Sequence, residues 1–92
     1  MRITIQYEAQ ARRAAGIRAE TVELPDDSTP RDGILQTAEK HGHSLRPTLL
    51  TAAGDIQPTL LVFVNDVQVV PDSHGPLSDG DTLTLMTPIS GG

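Results

Sequence analysis

Asp79-Gly80-Asp81-Thr82-Leu83-Thr84-Leu85-Met86-Thr87, followed by Pro88-Ile89-Ser90-Gly91-Gly92, is the stretch from which the rest of this sequence can be read. Asp-Gly-Asp is turn chemistry, since Gly supplies positive φ and Asp bonds its own backbone. Leu83 and Leu85 then alternate with Thr82, Thr84 and Met86, the period of a half-buried strand. After Pro88 come residues with less and less side chain, and Gly91 and Gly92 have no Cβ at all, so they can thread a channel too narrow for others. At the other end of the sequence Ile3, Ile5 and Tyr7 alternate with Arg2, Thr4, Gln6 and Glu8 in the same way. Two such strands, one at each end, predict a sheet with both lying side by side in its middle.

The segments between them complete the pattern. Ala9 to Ala15 predicts a turn or two of helix ended by Gly16. Ala19 to Leu24 predicts a second strand, closed by Pro25-Asp26-Asp27. Thr29 as cap, Pro30 at the first helical position and Asp32 in the first turn start the main helix, whose stripe is Ile34, Leu35 and Ala38. Gly42 ends it. From Gly42 to Pro58 the chain reads as an irregular connection with Leu45, Leu49, Leu50 and Ile56 as satellite core positions. Leu60 to Val64 is apolar on both faces and predicts a central strand. Asn65-Asp66 predicts a tight turn, Val67 to Val70 a return strand, and Leu77 a buried plug. This order gives an α+β fold: a mixed sheet of four to five strands with one main helix on one face. Residues 1–87 form the domain and 88–92 a flexible tail.

Composition narrows the function. With 92 residues, a net charge of −5 and a pI near 4.9, the chain has room for one core and lacks the basic face a nucleic-acid binder needs. Its basic residues, Lys40 and six arginines, are scattered along the sequence. There is no cysteine, which excludes disulfides, thiolate metal sites and any chemistry on a side-chain thiol. No segment approaches membrane-spanning length and the N-terminal strand has no apolar leader, so the expected location is cytoplasmic. His41, His43 and His74 lack ligand spacing, and Asp79 and Asp81 lack the full calcium-loop pattern. No catalytic residue, metal or bound cofactor is expected.

Val62-Phe63-Val64-Asn65-Asp66, Pro76-Leu77-Ser78-Asp79-Gly80-Asp81 and Pro88-Ile89-Ser90-Gly91-Gly92 together resemble the ubiquitin-like sulfur carriers of the MoaD/ThiS family. The N-terminal half agrees more loosely, through Ala14-Ala15-Gly16 and Val22-Glu23-Leu24-Pro25. Met86-Thr87 stand before Pro88 where many molybdopterin-type tails carry an aromatic residue, which leaves the pathway open. The resemblance implies a β-grasp fold and a carrier that is a cosubstrate rather than an enzyme. Its Gly92 would be adenylated by an E1-like adenylyltransferase using ATP, then converted to a thiocarboxylate by a sulfur donor (a sulfurtransferase or desulfurase). An acceptor enzyme, such as a molybdopterin synthase large subunit or a cysteine synthase, would take the sulfur. Pro88, Ile89, Ser90 and Gly91 would enter the partner's active site. With one helix available, one sheet face stays open. Leu60, Val62 and Val64, or else Leu61 and Phe63, are the candidate partner surface, together with Met86. The alternatives are a protein modifier joined through Gly92 to lysines and a non-covalent ubiquitin-like interaction module.

Overall fold

The computed structural model describes residues 1–88. Five strands, β1 (Arg2–Ala9), β2 (Ala19–Glu23), β3 (Leu61–Val64), β4 (Val67–Val69) and β5 (Thr82–Thr87), form one sheet in the order β2-β1-β5-β3-β4. β1 and β5 run parallel in its centre, from Thr4 opposite Thr82 to Ala9 opposite Thr87. The other pairings are antiparallel. This is the β-grasp arrangement expected from the two alternating end segments. The apolar strand expected at the centre is β3, one place in from the β4 edge.

Three helices, α1 (Gln10–Ala15), α2 (Pro30–His41) and α3 (Arg46–Leu49), accompany the sheet. α2 begins with a complete capping box: Thr29 Oγ1 accepts from the Asp32 amide, and Asp32 accepts from the Thr29 amide at 2.9 Å. Two orphan amides of the first turn are thereby satisfied. Gly33 lets the helix lie close on the sheet, since a Cβ there would stand 3.0 Å from Leu83 Cδ2. Ile34 and Ala38 join Ile3, Ile5, Tyr7, Leu83 and Leu85 in the core, each fully buried.

The connection after α2 is more regular than the sequence suggests. A 3-10 turn, Gly42–Ser44, leads into α3, which tolerates Pro47 because it falls in the first turn, where no amide is needed. Leu45 and Leu49 are fully buried and Leu50 nearly so. They belong to the main core rather than to a satellite, because α3 packs against α1 and α2.

Candidate functional site

The sheet's two ends are built differently. At the start of β5, the Asn65-Asp66 turn holds both residues at positive φ, 48° and 70°, the geometry whose twist suits a two-residue hairpin. Asn65 Nδ2 donates to Asp81 Oδ1 at 2.8 Å, and the Thr82 amide donates to Asn65 Oδ1 at 3.0 Å. Asp81 Oδ2 accepts from the Ser78 amide at 2.8 Å, and Asp79 Oδ1 from the Arg2 amide at 2.7 Å. Gly80, at φ 87°, returns an amide to the Arg2 carbonyl at 2.8 Å. The motif residues around these two turns therefore clamp β1, β3 and β5 at one end. Their geometry is structural.

β5 delivers the tail at the opposite end. Thr87 is buried beside Ala9, and Pro88 is exposed. Ile89, Ser90, Gly91 and Gly92, the residues expected to carry the chemistry, lie outside the described residues. The open sheet face adjoins this exit. Cross-strand pairing aligns Gln6, Thr84 and Phe63 in one row and Glu8, Met86 and Leu61 in the next. Phe63 and Met86 are half-buried and share a hollow of about 260 Å³ with Gln6, Glu8, Thr84 and Asp66.

Leu60, Val62 and Val64 do not belong to that face. They are 8%, 1% and 6% exposed and lie in the core, which corrects the expectation that they form a partner surface. Val62 and Val64 pair with the core residues Leu85 and Leu83, and this register turns the alternate set, Leu61 and Phe63, outward. In the 42–58 connection, α3 packs on the helical side with α1 and α2, while Ile56, Gln57 and Pro58 line a hollow with Leu61 and Gln68 at the β4 side of the sheet.

A titratable cluster joins β1, β2 and α2. Glu20 Oε2 accepts from Tyr7 Oη and from His41 Nε2, each at 2.5 Å, while Oε1 accepts from Lys40 Nζ at 2.6 Å. Burial alone would push the Glu20 carboxyl up. The hydrogen bonds from Lys40, Tyr7 and His41 outweigh it and hold the group at about 2. Burial, then the Glu20 bond and charge, push the Tyr7 phenol far up. Tyr7 is fully buried, so the cluster fixes the end of α2 to the ribbon.

Three of the six arginines come together in space. Arg12, Arg13 and Arg18 line one hollow of about 430 Å³ with Ala9, Gly16 and Ile17. The sequence signal was Gly16, whose φ of 77° ends α1 and turns the chain back.

A sequence model of the ThiS family matches residues 5–92. A molybdopterin synthase sulfur carrier subunit from Chlamydomonas reinhardtii is 29% identical, each chain covered over 100% of its length. Among solved structures, SAMP1 (small archaeal modifier protein 1) from Haloferax volcanii superposes with a TM-score of 0.85 at 23% identity, covering 100% of both chains. Subunits 1 and 2 of the molybdopterin-converting factor from Helicobacter pylori, solved as a protein–protein complex, provide another match, with a TM-score of 0.62 at 17% identity and 100% of each chain covered.

Proposed function

The chain belongs to the ThiS family, and from that premise we propose that it is a sulfur carrier whose reacting group is the Gly92 α-carboxylate. A carboxylate is a poor electrophile because its oxygen is a poor leaving group. Attack by a Gly92 oxygen on the α-phosphorus of ATP, with loss of pyrophosphate, makes an acyl-adenylate. A sulfur nucleophile at the oxidation level of sulfide then attacks the carbonyl carbon, and AMP departs with the oxygen. The product is a C-terminal thiocarboxylate. Its sulfur attacks an electrophile held by the acceptor enzyme, and hydrolysis of the acyl–sulfur bond regenerates the carboxylate. The adenylyltransferase, the sulfur donor and the acceptor supply proton transfer and charge stabilisation, and the carrier supplies position.

The observation that carries this reading is the seat of β5. A central strand, paired with β1 to its last residue, Thr87, and with β3 as far as Met86, hands the chain to an exposed Pro88. Fully extended, residues 88–92 reach at most about 16 Å from that fixed root. The open face with Leu61, Phe63 and Met86 adjoins the same exit and is the surface we assign to the acceptor. Its apolar side chains offer the buried centre of an interface, with Gln6 and Glu8 as a polar rim. The Chlamydomonas relative is named as a subunit of a synthase, which favours an acceptor of that kind.

The likeness to SAMP1, a modifier protein by its name, favours a second reading in which the same adenylate is captured by a lysine amine. Intact mass after incubation with the adenylyltransferase, ATP and a sulfur donor separates the two. Replacement of one oxygen by sulfur is the expected result. A ladder of adducts joined through isopeptide bonds would favour the modifier, and no ATP-dependent change of any kind would sink both.

A further inference from the structure

We propose that the hollow lined by Arg12, Arg13, Arg18 and Ile17 docks an acidic segment, carboxylates flanking an apolar side chain, on the enzyme that activates the tail. The proposal rests on the carrier reading above and adds to it the chemistry of the partner's surface at the tail entrance.

Charge is the first observation. Arg2, Arg31 and Lys40 each have a carboxylate within 4.0 Å: Glu23, Asp72 and Glu20 respectively. Among the described residues, Arg12, Arg13, Arg18 and Arg46 make no such pair, although the chain carries 12 acidic residues against 7 basic ones, and the first three gather in one hollow. Like charges gathered in one hollow repel within a Debye length of about 8 Å, and no carboxylate among the described residues pairs with them to offset that repulsion. The helix dipole favours Arg12 and Arg13 in the last turn of α1. It has no bearing on Arg18, nor on Ile17, which is 40% exposed between them.

The hollow is also held in place. Ala9, which is not glycine, sits at φ 55°, ψ −127°, a conformation strained for a residue that carries a Cβ. That strain turns the chain from β1 into α1 without a loop. Gly16 then reverses it, its amide bonding the Arg12 carbonyl at 2.9 Å, and the Arg18 carbonyl accepts from the Tyr7 amide at 2.8 Å. Both flanks are thus fixed to β1.

Position identifies the occupant. Ala9 lines the hollow and is the register partner of Thr87, the last strand residue before the tail. A partner that swallows residues 88–92 brings the rim of its entrance over this spot. Guanidinium forks suit carboxylates and phosphates alike. The nucleotide, however, meets the far end of a tail that extends up to about 16 Å, so protein carboxylates fit the hollow better. The isolated basic hollow on an acidic body would also orient the encounter by electrostatic steering.

The test uses the full chain with the adenylyltransferase of its own organism, following ATP-dependent adenylation as kcat/KM against sodium chloride. Arg12→Glu/Arg13→Glu/Arg18→Glu should lose at least tenfold, mostly through KM, and should flatten the salt dependence. Arg12→Gln/Arg13→Gln/Arg18→Gln should lose less, and Arg46→Glu, an exposed arginine elsewhere, should stay within twofold. A reversed-charge variant with unchanged melting and wild-type kcat/KM would overturn the proposal and leave the carrier reading intact. A wild-type chain that is never adenylated would overturn both. Inhibition by inorganic phosphate at constant ionic strength, lost in the glutamine variant, would overturn the protein-carboxylate assignment in favour of a phosphate site.

Discussion

The two ends of the sheet treat polar groups in opposite ways. At the clamp end, Asn65, Asp79 and Asp81 are engaged with backbone amides or with one another. At the tail end three arginines lack an internal partner among the described residues and an apolar side chain stands in water. Satisfied polar networks rigidify, whereas unpaired charge and exposed apolar surface are what an interface uses. The difference separates residues that build the platform from residues that address a partner, and substitutions at the two ends should therefore fail in different assays.

The largest effect is expected from the tail. Removing Gly92, or adding one alanine beyond it, should lower adenylation by more than a hundredfold, because the reacting carbon moves by a full residue, about 3.3 Å, from a geometry that tolerates far less. The melting temperature should not move. A parallel loss of stability would show that the tail packs on the domain, and the contrast between the ends would collapse.

Asp81→Ala tests the clamp. It removes the acceptor for Asn65 Nδ2 and for the Ser78 amide. Hydrogen bonds to a charged group contribute about 1.5–3 kcal/mol each, and partial exposure lowers that here, so a loss of roughly 2–3 kcal/mol in urea unfolding is expected. Adenylation per folded molecule should stay within twofold. A drop in kcat/KM at full folding would mean that the clamp contacts the partner too.

This asymmetry explains what the sequence disclosed. The Asn65-Asp66 and Asp79-Gly80-Asp81 turns were legible because turn geometry depends on local chemistry, positive φ and side-chain-to-backbone bonds. The start of α2 was legible at Thr29 and Pro30 for the same reason. The outward face of β3 was not, because Leu60 to Val64 is apolar at every position and a period of two carries no information when both sets match. Its register is decided by Leu83 and Leu85 on a strand far away in sequence. α3 was hidden by Pro47, which reads as a breaker unless it falls in a first turn. The arginine hollow was hidden because Arg18 reaches Arg12 and Arg13 only through the reversal at Gly16.

Glu20 sharpens the comparison from within the core side. Its folded carboxyl, at about 2, is depressed from an ordinary 4.5. A depressed carboxyl stabilises the fold above the unfolded value, and that stability is lost as pH falls from about 5 towards 2. At about 1.4 kcal/mol per pKa unit the ceiling is roughly 3 kcal/mol. With Glu20 12% and Lys40 51% exposed, solvent screening brings the expectation to roughly 1–2 kcal/mol. Urea midpoints between pH 7 and pH 3 should fall for the wild type, and Glu20→Gln should be less stable at pH 7 with that part of the slope removed. An unchanged slope would mean the cluster adds no net stability.

The smallest effect is expected at Ala9. Glycine adopts φ 55° without the Cβ clash, so Ala9→Gly should relieve part of the strain and raise stability by up to about 1 kcal/mol, less the entropy glycine loses on folding. If the strained junction serves to aim Arg12 and Arg13, the relaxed variant should melt slightly higher yet show a modestly raised KM for adenylation. Higher stability with unchanged KM would instead mean that the strain merely shortens the link between β1 and α1.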